Sequence, residues 1–225
     1  MGQKSYFTED LFKFLRELRV NNNREWFQAN KERYESAVRN PALRFITDFG
    51  PYLKKVSQQF VVDPRPAGGS LFRIYRDIRF SRDKSPYKTH VGIHFRHREC
   101  HEGTHAPGFY LHLEPEGCFA GAGLWHPDAA ALKRVRDAVI NRPQAWKKAV
   151  GGKLQMEGEM LKRPPSGYAS DHPLIEDLKH KDFIFSMPFS EPQVCGRQFI
   201  SKYAEACKTM SPLVRFLTAA LSLDW

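Results

Sequence analysis

Gly108-Phe109-Tyr110-Leu111-His112-Leu113-Glu114 alternates strictly: Phe109, Leu111 and Leu113 fall on one side of an extended chain, and Tyr110, His112 and Glu114 on the other. Successive strand side chains point to opposite faces, so this period of two predicts a sheet with one apolar and one polar face. Upstream, Val91, Ile93 and Phe95 repeat the pattern against His90, Gly92 and His94, and downstream the glycine-rich run from Cys118 to Trp125 continues it. Earlier still, Phe72, Ile74, Ile78 and Phe80 against Arg73, Tyr75, Asp77 and Arg79 predict a further strand. Arg76 lands on the apolar side of that strand, where a bulge re-aims it or a partner neutralises a buried guanidinium. Short links between these segments predict an antiparallel meander of about four or more strands. Phe183, Phe185 and Met187 suggest one more extended piece.

Helical periodicity flanks the sheet. Thr8 stands where a cap would, ahead of Leu11, Phe12, Leu15 and Leu18, and Asn22 with Glu25 three residues on reads as a capping pair for a second helix. Pro41 opens a third helix, and Pro51 inside its apolar pattern predicts a kink or break. After the sheet, Pro127 precedes a helix through Ala131, Val135 and Val139, and another spans Pro143 to Val150. Asp171 is placed to cap a short helix containing Leu174 and Leu178, and two C-terminal helices split near Ser211-Pro212 are expected. Helices, then sheet, then helices predict an α+β class, with residues 1–225 as a single domain.

A chain of 225 residues with 41% hydrophobic content can bury a substantial core. Its formal charge of +10 favours acidic partners, whether nucleic acid, anionic membrane or phosphorylated small molecules, and charge alone does not choose among them. No secretory pattern and no apolar run of membrane-spanning length is seen, which points to a soluble, cytoplasmic protein without a membrane partner. Cys100, Cys118, Cys195 and Cys207 form no CxxC pair and read as ordinary thiols of a reducing compartment.

Asn22-Asn23-Arg24-Glu25-Trp26-Phe27, the run from Arg73 to Lys88, and Gly108 to Pro115 resemble the hallmarks of a widespread bacterial and fungal family of about this length, filed as a conserved domain of unknown function. The resemblance covers nearly the whole chain, including Gly121 to Pro127 and Lys162 to Pro173. It implies one domain and brings no activity, ligand or catalytic residue with it.

The chemistry concentrates between Arg73 and Lys88, where four arginines and two lysines stand among two aspartates and two tyrosines. Guanidinium forks match the paired oxygens of phosphate and carboxylate, so Arg73, Arg76, Arg79, Lys84, Tyr87, Lys88 and His90 are the candidate ligand-binding residues. Asp77, Asp83 and His112 are the candidate acids or bases. In the competing reading, Asp77 and Asp83 neutralise the arginines in an internal salt-bridge network and the chain is a structural or interaction protein. In another, the arginines grip nucleic-acid phosphates while Tyr75, Tyr87 or Tyr110 stack on bases. His97, Cys100, His101 and His105 fit no zinc template, so no metal and no cofactor is expected. Gly121 and Gly123 permit close approach of a ligand or of a helix. Asp171-His172 resembles half a hydrolytic dyad, but no GxSxG context supplies a nucleophile, and a capping turn is expected.

Overall fold

The alternating segments close into one sheet. In the structure, a computed structural model that describes residues 5–100, 105–152 and 154–225, β1 (Val91–Arg96), β2 (Gly108–Leu113), β3 (Cys118–Leu124) and β4 (Phe183–Phe189) form an antiparallel meander in that order. The register pairs Ile93 with Leu111 and Leu111 with Ala120, so Val91, Ile93, Phe95, Phe109, Leu111, Leu113, Ala120 and Ala122 share one face. That face is the buried one. The expected α+β architecture is therefore present, with β4 supplied by the 183–187 piece rather than by the segment from Phe72 to Phe80.

That upstream segment is not a strand. It touches its neighbours through isolated bridges only, Leu71 with Ile93 and Tyr75 with Tyr87. Its alternation fails because Phe72 and Phe80 are exposed, the latter at 94%, and of its apolar set only Ile74 is buried. Residues 74–76 and 86–88 instead form an irregular hairpin, through Arg76 N–H to the Pro86 carbonyl (2.9 Å) and Lys88 N–H to the Ile74 carbonyl (2.7 Å). Just upstream of it, Phe72 N–H donates to the Gly92 carbonyl and His94 N–H to the Ser70 carbonyl, which covers the otherwise open edge of β1.

Helices α1 (Glu9–Val20), α2 (Arg24–Ala29), α3 (Lys31–Tyr34) and α4 (Asn40–Val56) precede the sheet, with a π turn over Glu35–Arg39 joining α3 to α4. Then α5 (Ala129–Asn141), α6 (Pro143–Val150), α7 (Ile175–Leu178), α8 (Glu191–Cys195) and α9 (Phe199–Ala220) complete the chain. Pro51 lies inside α4 without breaking it, and Pro212 lies inside α9, which is one helix rather than the two expected. An interior proline costs about 3 kcal/mol through its lost N–H and steric clash. Burial of Phe45, Ile46, Phe49 and Leu53 on α4, and of Met210, Leu213, Val214 and Leu217 on α9, all 0% exposed, outweighs it.

The long helix α9 lies across the buried sheet face and packs against β3 and α4, where Phe45, Phe49, Phe95 and Tyr203 meet ring to ring. Gly123 on β3 has φ +134°, and a Cβ there would lie 2.0 Å from the Phe183 carbonyl oxygen. The close approach it permits is thus that of β4's backbone, neither a ligand nor a helix. Among the described residues no helix is long and apolar enough to cross a membrane.

Candidate functional site

The two arginine-rich and asparagine-rich motifs meet in space. Asn23, not Asn22, caps α2, its Oδ1 accepting from the Trp26 N–H at 2.9 Å. That frees the Asn22 amide to clasp the backbone of Tyr87: Nδ2 donates to the Tyr87 carbonyl (3.0 Å) and Oδ1 accepts from the Tyr87 N–H (3.1 Å). Tyr87 is 2% exposed and its ring stacks on Phe27 of α2 at 4.1 Å. The hairpin is therefore pinned to the N-terminal helices by the Asn22 amide and by the Phe27 ring, which stacks on Tyr87 and meets Tyr75 edge-on at 6.3 Å.

Beside this clasp lies a cleft of about 310 Å³. Arg19, Arg76 and Lys88 line it as cations and Asp83 is its one carboxylate. Asn22, Ser85, Thr89, His90 and Tyr87 complete the wall. Five of the residues picked from sequence thus come together: Arg76, Asp83, Tyr87, Lys88 and His90. The other five, Arg73, Asp77, Arg79, Lys84 and His112, do not line it. Arg19, Asn22, Ser85 and Thr89 were not foreseen. Arg19 ends α1 as an apparent solvent-facing cation, and three successive asparagines conceal which one caps.

Each charge in the motif has a distinct setting. Arg79 grips Asp77 with two bonds (3.0 and 2.7 Å), but both are well exposed and the pair adds little stability. Its guanidinium holds the Asp77 carboxyl down at about 2. Asp83 is also held at about 2, first by the Ser85 hydroxyl and N–H and then by Arg76, with which it pairs. A carboxylate so far below neutral pH is a weak base and is not a proton donor at pH 7. Of the two possibilities for Arg76, the paired guanidinium is the one found, with 27% of its side chain exposed. Lys84 donates to the Ile78 carbonyl at 3.1 Å and closes the turn.

Lys88 differs from all of these. It is half-buried, its Nζ sits 5.3 Å from the centre of the Phe72 ring, and among the described residues no carboxylate lies within 4 Å of it. Burial, and then the nearby Arg73 charge, push its pKa down.

The polar sheet face continues from the cleft. His90 stacks on His112 at 4.4 Å, and His112 stacks on Phe119 at 4.8 Å. Tyr110 Oη lies 3.0 Å from His112 Nδ1, His112 Nε2 lies 3.2 Å from Glu114 Oε2, and the Thr89 hydroxyl donates to Glu114 Oε1 at 3.2 Å. Burial above all, and then His112, pull the His90 pKa down to about 4, so its imidazole is neutral at pH 7. One ligand atom from each of His90, His112 and Glu114 fits within a 4.8 Å span. Of the clustered set weighed from sequence, His97 is fully buried with Nε2 2.9 Å from the Asp224 carbonyl oxygen, His105 lies near Asp128, and His101 falls outside the described residues.

A larger groove of about 940 Å³ runs between α4, α6 and α9 and holds none of these residues. Its cations, among them Lys55, Arg142, Lys148 and Arg215, are all exposed and well solvated, and Arg142 lies over the Phe216 ring at 5.0 Å. The smaller cleft is where charge is withdrawn from water, and it is the stronger candidate on that ground.

The fold is α+β, a helix-covered sheet, with a cleft beside β1 lined by Arg19, Arg76, Asp83 and Lys88. The chain belongs to the family described as conserved hypothetical protein (DUF2461), which matches residues 10–216. No curated protein and no solved structure shows a significant match.

Proposed function

We propose that the protein binds a small molecule bearing a phosphate or carboxylate group in the cleft at Arg19, Arg76 and Lys88. Lys88 carries the reading. A half-buried ammonium lacking a carboxylate partner is costly, and an anionic ligand would supply the missing countercharge. Three cations against one carboxylate give the cleft a positive field, and its size suits a small metabolite at the low end of ligand pockets. The neutral His90 on its wall can donate a hydrogen bond to, or accept one from, the bound group.

The test is thermal-shift and calorimetric titration with inorganic phosphate, nucleotides, sugar phosphates and small dicarboxylates, using wild type, Lys88→Gln and Arg19→Gln. A ligand at 100 times its Kd stabilises by ~2.7 kcal/mol, or about 5 to 11 °C in a chain of this size. That shift should vanish in Lys88→Gln, which without ligand should be at least as stable as wild type. Absence of any small-anion response in wild type, or a full response in Lys88→Gln, would remove the proposal. Stabilisation by oligonucleotides alone, with steep salt dependence, would instead indicate nucleic acid.

A further inference from the structure

We infer that His90, His112 and Glu114 form a binding site for one divalent first-row transition-metal ion of the zinc type. The sheet register builds the constellation. His112 and Glu114 lie two residues apart on one face of the β2 segment, and the pairing of Val91 with Leu113 sets His90, one step outward, across from Glu114. The chain thus delivers two imidazoles and a carboxylate to one patch from two adjacent strands.

The spacing and chemistry suit such an ion. Ligand atoms about 2.0 to 2.2 Å from a metal at tetrahedral or octahedral angles stand roughly 2.8 to 3.6 Å apart. His112 Nε2 and Glu114 Oε2 are already 3.2 Å apart, and the whole set lies within 4.8 Å, so binding would draw the widest pair together by about 1 to 2 Å. Two imidazoles with one carboxylate select borderline ions such as Zn(II), Co(II) or Fe(II) over Mg(II) or Ca(II), which take oxygen ligands.

The surroundings orient the ligands. Metal-binding histidines characteristically hold a partner on their second nitrogen, and here Tyr110 Oη stands 3.0 Å from His112 Nδ1. Thr89 holds the other Glu114 oxygen, and Phe119 fixes the plane of the His112 ring by stacking at 14°. Three protein ligands leave at least one coordination position open, the arrangement of reactive rather than purely structural sites. His90 is the one residue this site shares with the anion cleft. The metal assignment does not depend on the anion reading.

The experiment is titration of chelator-stripped full-length protein with Zn(II) by calorimetry, with Co(II) absorption as a spectroscopic check on nitrogen ligation. One equivalent should bind, and Glu114→Gln and His90→Ala should each weaken affinity tenfold or more. The exposed His126→Ala should not change it. Glu114→Gln is nearly isosteric, and circular dichroism verifies that each variant folds. Lys88→Gln should keep the metal while losing phosphate, which separates failure of one site from failure of the other. Lack of stoichiometric binding by wild type, unchanged affinity in both Glu114→Gln and His90→Ala, or equal loss in Lys88→Gln would overturn the assignment.

Discussion

Replacing Asn22 by alanine removes both hydrogen bonds that hold the Tyr87 backbone. The Tyr87 N–H and carbonyl lie in partly buried surroundings, so they lose their partners without full access to water. An unsatisfied buried backbone group costs about 1 to 3 kcal/mol, and two such groups, partly rescued by solvent, amount to about 2 to 4 kcal/mol. For a chain of this length that lowers Tm by roughly 4 to 16 °C. Asn23→Ala, which deletes only the α2 cap, should cost about 1 kcal/mol. Urea denaturation of both variants measures the difference. Asn22→Ala should also weaken small-anion binding, because Asn22, Tyr87 and Lys88 share the cleft wall. If Asn22→Ala proved no more destabilising than Asn23→Ala, the clasp would not hold the hairpin and the argument linking the two motifs would fall.

Phe80, 94% exposed, should tolerate Phe80→Ser within about 0.5 kcal/mol, whereas Tyr87→Ala should cost about 3 to 5 kcal/mol by chemical denaturation. A loss above 1.5 kcal/mol at Phe80, an order-of-magnitude threshold, would restore a buried strand face there. His94 has its pKa lowered to about 4, chiefly by burial and then by Arg96. An unfolded histidine protonates near 6.5 while this one resists, so its stabilising contribution is full above pH 6.5 and is lost as pH falls toward 4. The loss is at most about 3 kcal/mol. Denaturation midpoints at pH 7, 5.5 and 4.5 should show a shallower acid slope in His94→Gln than in wild type, and parallel slopes would contradict this account.

The sheet was readable because alternation on Val91 to Phe95 and Gly108 to Glu114 is a direct consequence of one-sided burial, and the register confirms which face is inside. Pro212 misled because local helix cost is small against the burial of a whole helical face. The stretch from Phe72 to Phe80 misled for a related reason: its sequence alternates, but only Ile74 finds a buried place, and backbone bonds to residues 86–88 set its path. Among the site residues, Arg76, Lys88 and His90 were visible as charge beside apolar signals. Asn22 and Arg19 were not, because their roles depend on a contact 65 residues away and on the end of a helix reaching the hairpin. His90, His112 and Glu114 were separately visible, but only the strand register shows that positions 90 and 114 are opposite one another.

The Asn22 clasp also has a kinetic consequence. It joins positions 65 apart, whereas the β2–β3 hairpin and the helices close over short stretches of chain. Closing so long a loop costs chain entropy that short-range hairpins and helices avoid, so this junction is expected to form after them. During synthesis from the N-terminus, α1 and α2 would wait for residue 87 to emerge before the cleft between Arg19, Arg76 and Lys88 could assemble.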